Sequence, residues 1–231
     1  MTADPPRKKR TTQTRSLLTQ EAILEAAAAV FDENGFSGAA VSMILERSGG
    51  RVSKGALYHH FPSKEAMARK ILETQVPMST LPPQASKIQE LVDTSFYFVH
   101  LLLTNPLARA GARLSTDGGL PPDLDPGMVF RDWAQHAEFL VRQAMELGEA
   151  LPGIDPAEIS EVLVGAYVGI QLTSHALDGR KELPRKISLF WQLTLPGIAT
   201  PGLIPGIKFS PERMHYLFPP NAQTSEETDA S

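Results

Sequence analysis

Apolar residues return at helical spacing along most of this chain, and the interruptions between the patterned stretches mark where helices stop. From Thr19 to Asn34, the positions Ile23, Ala26, Ala27, Val30 and Phe31 follow i, i+3, i+4, i+7 and i+8, one face of an amphipathic helix. Thr19 suits its N-cap, Glu21 suits its first turn, and Asn34-Gly35 ends it with the residue that most easily turns left-handed. A short helix over Ala40 to Arg47 turns Val41, Ile44 and Leu45 inward and stops at Ser48-Gly49-Gly50. A third opens at the N-cap Ser53, with Leu57 and Phe61 four apart and facing inward. Pro62-Ser63-Lys64-Glu65 starts a fourth, which carries Met67, Ala68, Ile71 and Leu72 toward Val76-Pro77.

Beyond the proline-rich stretch 77–83 the helices lengthen. Ala85 to Thr104 places Ile88, Leu91, Val92, Ser95, Phe96, Val99, Leu102 and Leu103 on its apolar side. Pro106 opens the next at the position where proline is favoured, and Gly118-Gly119, Pro121-Pro122 and Pro126 make 115–127 a loop. Two long helices follow, Met128 to Leu147 and Pro156 to Leu177, then a shorter one from Leu183 to Leu195. The pattern predicts an all-α fold in four segments: a mobile basic arm over 1–18, a helix-turn-helix unit with its linker helix over 19–76, a helical body over 84–208, and a disordered tail over 209–231.

Charge sharpens this division. Residues 1–72 hold 11 Lys and Arg against 7 Asp and Glu, whereas the rest holds 11 against 19, so a chain of net charge -4 has a front end of +4 and a body of -8. That asymmetry suits a front end that meets a polyanion. The absence of cysteine excludes disulfides and thiolate chemistry. Arg7-Lys8-Lys9-Arg10 leads into polar residues and not an apolar run, and no stretch of ~18 apolar residues offers a membrane span. A soluble, cytoplasmic protein is expected.

Two short helices joined by a glycine turn, the second polar and basic at its start, is how a recognition helix is set into a DNA major groove. The run Ala22-Ile23-Leu24-Glu25-Ala26 through Phe36, with Val52-Ser53-Lys54-Gly55-Ala56-Leu57-Tyr58-His59-His60-Phe61-Pro62-Ser63-Lys64-Glu65, resembles the DNA-binding domain of TetR-type repressors. Gly49-Gly50-Arg51-Val52 is about two residues longer than the usual turn of that family. In the body, Asn105 through Ser115, Trp133, Gly165 through Ser174 and Trp191 through Ala199 resemble the ligand domain of gamma-butyrolactone receptors, the TetR-type receptors for diffusible signals in antibiotic-producing actinomycetes.

Placed on that frame, Arg15, Arg51, Ser53, Lys54 and Lys64 are candidate phosphate contacts. Ser42, Lys54, Ala56 and Tyr58 are the candidates for operator choice, Gly55 permits close approach, and His59 is set to reach the backbone or a base. In the body an apolar pocket with one or two polar anchors is expected. Its candidate lining is Trp133, Phe96, Val99, Leu114, Tyr167 and Ile170, with Tyr97, Gln171 and Thr173 as hydrogen-bond partners. The small residues Gly165, Ala166 and Gly169, with the helix at 183–195, suit a homodimer that would read a palindromic operator in double-stranded DNA.

No enzyme machinery is legible. His59 and His60 are adjacent and diverge on a helix, the other histidines lack ligand spacing, and neither G-x-S-x-G nor G-x-G-x-x-G occurs, so no metal or cofactor is expected. The reading is a ligand-responsive repressor that releases its operator on binding a gamma-butyrolactone, butenolide or furan signal and controls antibiotic production. A pseudo-receptor or multidrug-responsive repressor that answers to antibiotics differs only in pocket shape, and an enzyme on a helical scaffold would differ by turnover of its ligand.

Overall fold

The computed structural model describes residues 7–74 and 81–219. Helices account for the ordered elements among these, and the one extended contact is an isolated antiparallel bridge between Ala150 and Ala199. The chain divides into two compact units, Met1–Val76 with Asn105–Val129, and Pro77–Thr104 with Phe130–Ser231.

The first unit is built on α1 (Arg7–Gly38), which buries Ile23, Ala26, Ala27, Val30 and Phe31 along the face its pattern requires. Gly35, with φ of 67°, breaks the helical path three residues before its end. There the Phe36 N–H donates to the Asp117 carboxylate at 2.7 Å. A β-carbon on Gly35 would lie 2.7 Å from that same carboxylate oxygen, so both the backbone angle and the space require glycine. The helix starts earlier than its apolar stripe does. Residues 7–18, expected to be a mobile arm, continue α1 as far back as Arg7, because no Gly or Pro in Arg7 to Leu18 breaks the helix that the apolar stripe begins. Residues 1–6 lie outside the described chain.

α2 (Val41–Arg47) and α3 (Lys54–His60) are held to α1 by Ile44, Leu57 and Phe61, all buried. α4 (Lys64–Glu73) starts on the Ser63 hydroxyl, which accepts from the Ala66 N–H. α6 (Pro106–Ser115), capped by Asn105, packs against α1 and α4. Arg109 pairs with Asp32 at 2.9 Å, and Arg69 with Asp123 at 2.5 Å. The block 84–208 read as one body thus yields 105–129 to the front unit. Ala110, Gly111 and Leu114 bury one face of α6, which needs a partner, and α1 and α4 supply it.

The second unit holds α5 (Lys87–Thr104), the greater part of α7 (Gly127–Glu146), α8 (Pro156–Asp178), α9 (Leu183–Thr194) and a short α10 (Arg213–Leu217). Glu149 anchors the start of α5, its carboxylate accepting from the backbone N–H groups of Lys87 and Ile88 at 2.8 and 3.1 Å. A negative group at a helix N-terminus satisfies orphan donors and opposes the dipole. α8 begins on the Asp155 cap and ends at Gly179 in the left-handed region. The tail expected to be disordered from 209 is ordered through Pro219, with α10 packed on α5; residues 220–231 lie outside the described chain.

Candidate nucleic-acid interface and ligand chamber

α3 is a seven-residue helix with one buried seam. Leu57 is fully buried and Phe61 nearly so, which forces Lys54, Gly55, Tyr58 and His59 outward, and all four are exposed. The Ser53 hydroxyl accepts from the Ala56 N–H at 3.1 Å, so this serine acts as the helix cap. Lys54 and Tyr58 are one turn apart on the open side, and no atom lies within 4 Å of where a Gly55 β-carbon would stand. Ala56 is half-buried; Ser42, on α2, and Arg15, on α1, are exposed. A cation, a phenol, an imidazole and a bare backbone on one short helix form a surface that can take phosphate oxygens and base edges together.

The long turn ahead of α3 bulges outward. Gly49 and Gly50 both have positive φ, 61° and 79°, with open space around them. Arg51 folds back on this turn, its Nε donating to the Ser48 carbonyl at 3.1 Å, and its guanidinium stands 3.8 Å from Glu25. It remains exposed. Lys64 is placed differently from a phosphate contact: its ammonium donates to the carbonyls of Phe36 and Ala39 at 2.8 and 3.0 Å and sits 4.2 Å above the Phe36 ring. This lysine closes the end of α1 against α4. Its sequence position next to Ser63 gave no sign of that, because its partners are carbonyls 25 and 28 residues away.

The second unit contains a small cavity of about 60 Å³ between α5, α7, α8 and α9. Its walls are largely aromatic and aliphatic. Phe98 and Trp133 are packed at 4.6 Å between ring centres, Tyr167 stands edge-on to Trp133 at 6.5 Å, and Phe190 and Trp191 close the α9 side. Leu91, Ala137, Leu163 and Val164 complete the apolar surface. Polar groups are few and mostly occupied. The Ser95 hydroxyl donates to the Val92 carbonyl and accepts from the Trp191 indole N–H at 2.7 Å, and Thr94 donates to the Glu90 carbonyl. The Tyr167 hydroxyl is buried with no hydrogen-bond partner. Burial drives its pKa far above the ordinary phenol value, with nearby Arg180 opposing in part, so it stays a neutral O–H. His136 also lines the cavity, and burial lowers its pKa, with Glu90 opposing, which favours the uncharged ring.

Of the nine residues nominated for the ligand, Trp133 and Tyr167 line this cavity. Phe96 and Val99 are fully buried in the core on another face of α5, and Tyr97 packs at 5.5 Å from Phe218. Leu114 belongs to the core of the first unit. Gln171 is buried and accepts from Arg180, Thr173 is exposed and donates to the Gly169 carbonyl, and Ile170 is half-buried outside the lining. The sequence reading missed Ser95, Phe98, His136 and Trp191. Their spacing from Trp133 and Tyr167 is not periodic, since four helices contribute one or two turns each.

An exposed recognition helix in one unit and an aromatic chamber in the other define a helix-turn-helix DNA-binding regulator with a small-molecule domain. Residues 23–71 match the model of bacterial regulatory proteins of the tetR family, and residues 85–200 match the tetracyclin repressor-like C-terminal domain. The A-factor receptor protein of Streptomyces griseus is 40% identical over 196 residues, 85% of this chain and 69% of that protein. Among solved structures, full-length TylP, a TetR regulator from Streptomyces fradiae, superposes with a TM-score of 0.78 at 34% identity, covering 88% of this chain and 97% of its own. A gamma-butyrolactone receptor described as an ArpA-like protein gives a TM-score of 0.64 at 25% identity, covering 88% and 94%. The chain belongs to the tetR family of bacterial regulatory proteins.

Proposed function

We propose that this protein is a homodimeric transcriptional repressor that holds a palindromic operator through its two α3 helices and releases it when a small, largely apolar signal fills the chamber. The ligand class is that of gamma-butyrolactones or related butenolides and furans, and the genes controlled serve antibiotic production. The carrying observation is the chamber itself: Phe98 packed on Trp133, a neighbouring Tyr167 whose buried hydroxyl has no partner, and walls that are mostly aromatic and aliphatic. An unsatisfied buried hydroxyl costs about 1–3 kcal/mol, so a ligand carbonyl or ring oxygen that accepts from Tyr167 gains both a hydrogen bond and relief of that cost. A relative named for A-factor and a neighbour named for gamma-butyrolactone support the class.

On the DNA side, Lys54 supplies a phosphate contact and Tyr58 a phosphate or base-methyl contact, with Gly55 letting the backbone approach. Arg15, Arg51, Ser42, Ala56 and His59 are assigned to the same DNA-facing role, while Lys64 is left to its structural bonds. The signal travels through the chain itself. α5 and α7 supply chamber walls, and the segment that joins them, Asn105–Val129, belongs to the DNA-reading unit. A ligand that prefers one setting of α5 and α7 therefore biases the setting of α6, and only that preference shifts the population.

Trp133→Ala tests the reading. In a mobility-shift assay with the operator, the variant is expected to bind DNA as wild type does. Removal of a large aromatic wall costs about 2 kcal/mol, roughly 30-fold, so it stays bound at lactone concentrations that release wild type. A variant released at the wild-type concentration refutes the chamber as the ligand site.

A further inference from the structure

α5 is buried on more than one face, and one of these has no part in the function proposed above. Leu91, Thr94, Ser95 and Phe98 turn to the chamber. Gln89, Asp93, Tyr97 and His100, at i, i+4, i+8 and i+11, form a separate stripe that receives the C-terminal segment Ile207 to Phe218. Three rungs join them. The Gln89 side-chain amide accepts from the Lys208 N–H at 2.7 Å and donates to the Lys208 carbonyl at 2.9 Å, as a strand partner would. Arg213 donates through Nε and a terminal nitrogen to both oxygens of Asp93, at 2.8 and 2.6 Å. The Phe218 ring stacks on His100 at 4.3 Å and lies 5.5 Å from Tyr97.

The middle rung is the demanding one. Asp93 is fully buried, and its carboxylate takes donors from Gln84 and Gln89 as well as from Arg213. A buried ion pair with all its lone pairs engaged contributes little net stability, yet it tolerates few alternative geometries, because any slip leaves a charge unpaired. The fork therefore sets both the rotation of α5 about its axis and its position along that axis. On a helix, a residue on one face cannot turn without carrying the opposite face with it, so the same setting fixes where Ser95 and Phe98 stand in the chamber.

We infer that the C-terminal strap, through Arg213 on Asp93 and Phe218 on His100, is a positioning clasp for the ligand chamber. The inference rests on the chamber being the ligand site. It assigns Arg213 and Phe218, which do not line the cavity, a role in signal binding and none in reading DNA.

The test uses the full chain, with γ-decalactone as the probe and tryptophan fluorescence as the readout. Two variants loosen the clasp without stranding an ion: Phe218→Ala, and the neutral pair Asp93→Asn with Arg213→Gln. Each is expected to weaken the lactone by about tenfold or more, which is about 1.4 kcal/mol. Each should also speed hydrogen exchange of α5 amides between Leu91 and Phe98, with operator affinity and exchange in α2 and α3 left at wild-type values. If the melting temperature falls while lactone affinity stays within about twofold and α5 exchange is unmoved, the strap only adds stability and the inference is overturned. Failure of the wild-type chain to bind the lactone counts against the chamber, and the exchange comparison in the unliganded protein then decides the clasp by itself.

Discussion

His136 sits in the chamber wall as an ionisable ring among apolar and aromatic neighbours, with Glu90 as the charged group acting on it. Burial lowers its folded pKa below the unfolded value of about 6.5. As pH falls past that unfolded value, the unfolded chain takes up the proton first, so stability declines, and the decline ends once pH has passed the folded pKa. His100 is lowered for the same reason and adds a second contribution in the same direction. The expected outcome is a lower denaturation midpoint at pH 5.5 than at pH 7.5 (values about one unit either side of the unfolded pKa), with His136→Gln and His100→Gln each removing part of the difference. Neutral lactone should also bind more weakly at the acid end, since a charged ring must then be desolvated, and His136→Gln should flatten that dependence. At this scale the sequence was partly legible. Trp133 and Tyr167 could be nominated as large amphipathic side chains, but α5 buries eleven of its eighteen residues, so periodicity could not separate the face toward the void, with Ser95 and Phe98, from the face in the core, with Phe96 and Val99.

α3 could be read in the sequence as a helix because every local signal agreed: a serine cap, an inward pair at i and i+4, and a proline just beyond its end. What could not be read was where charged side chains go when their partners are distant in sequence, as with Lys64 on the Phe36 and Ala39 carbonyls. The same limit hid the attachment of α6 to α1 through Arg109 and Asp32, 77 residues apart, and the order of the C-terminal strap, whose docking groups Gln89 and Asp93 lie about 120 residues upstream. Lys54 and Tyr58 escape this limit, both being exposed on α3. Lys54→Ala is expected to weaken every operator alike and to reduce the slope of log affinity against log salt by about 1, as loss of one phosphate contact requires. Tyr58→Ala should leave that slope nearer to wild type and alter the ranking of operator variants. A Lys54→Ala protein with an unchanged salt slope would show that α3 does not lie against the backbone.

Assembly follows from surface that one chain leaves uncovered. Val162 and Leu177 on α8 and Leu189 and Leu193 on α9 are exposed at 66%, 81%, 46% and 71%. Large apolar groups this open on two neighbouring helices mark a protein interface. Gly165 and Gly169 leave open space along α8, where a second backbone can come close. The proposed dimer lets two α3 helices engage half-sites ~34 Å apart, so the second contact is made at high effective concentration. The chamber's lining residues, in contrast, all lie in the second unit of a single chain. The two activities should therefore separate on breaking the dimer. Leu177→Glu with Leu193→Glu is expected to sediment as a monomer and to lose operator affinity by about 10²-fold or more, the avidity that linkage confers. The same monomer should still bind γ-decalactone, because the residues that line the chamber stay together in it. If the monomer forms and lactone binding disappears with it, the partner completes the chamber, and the signal is read by the dimer and not by each chain.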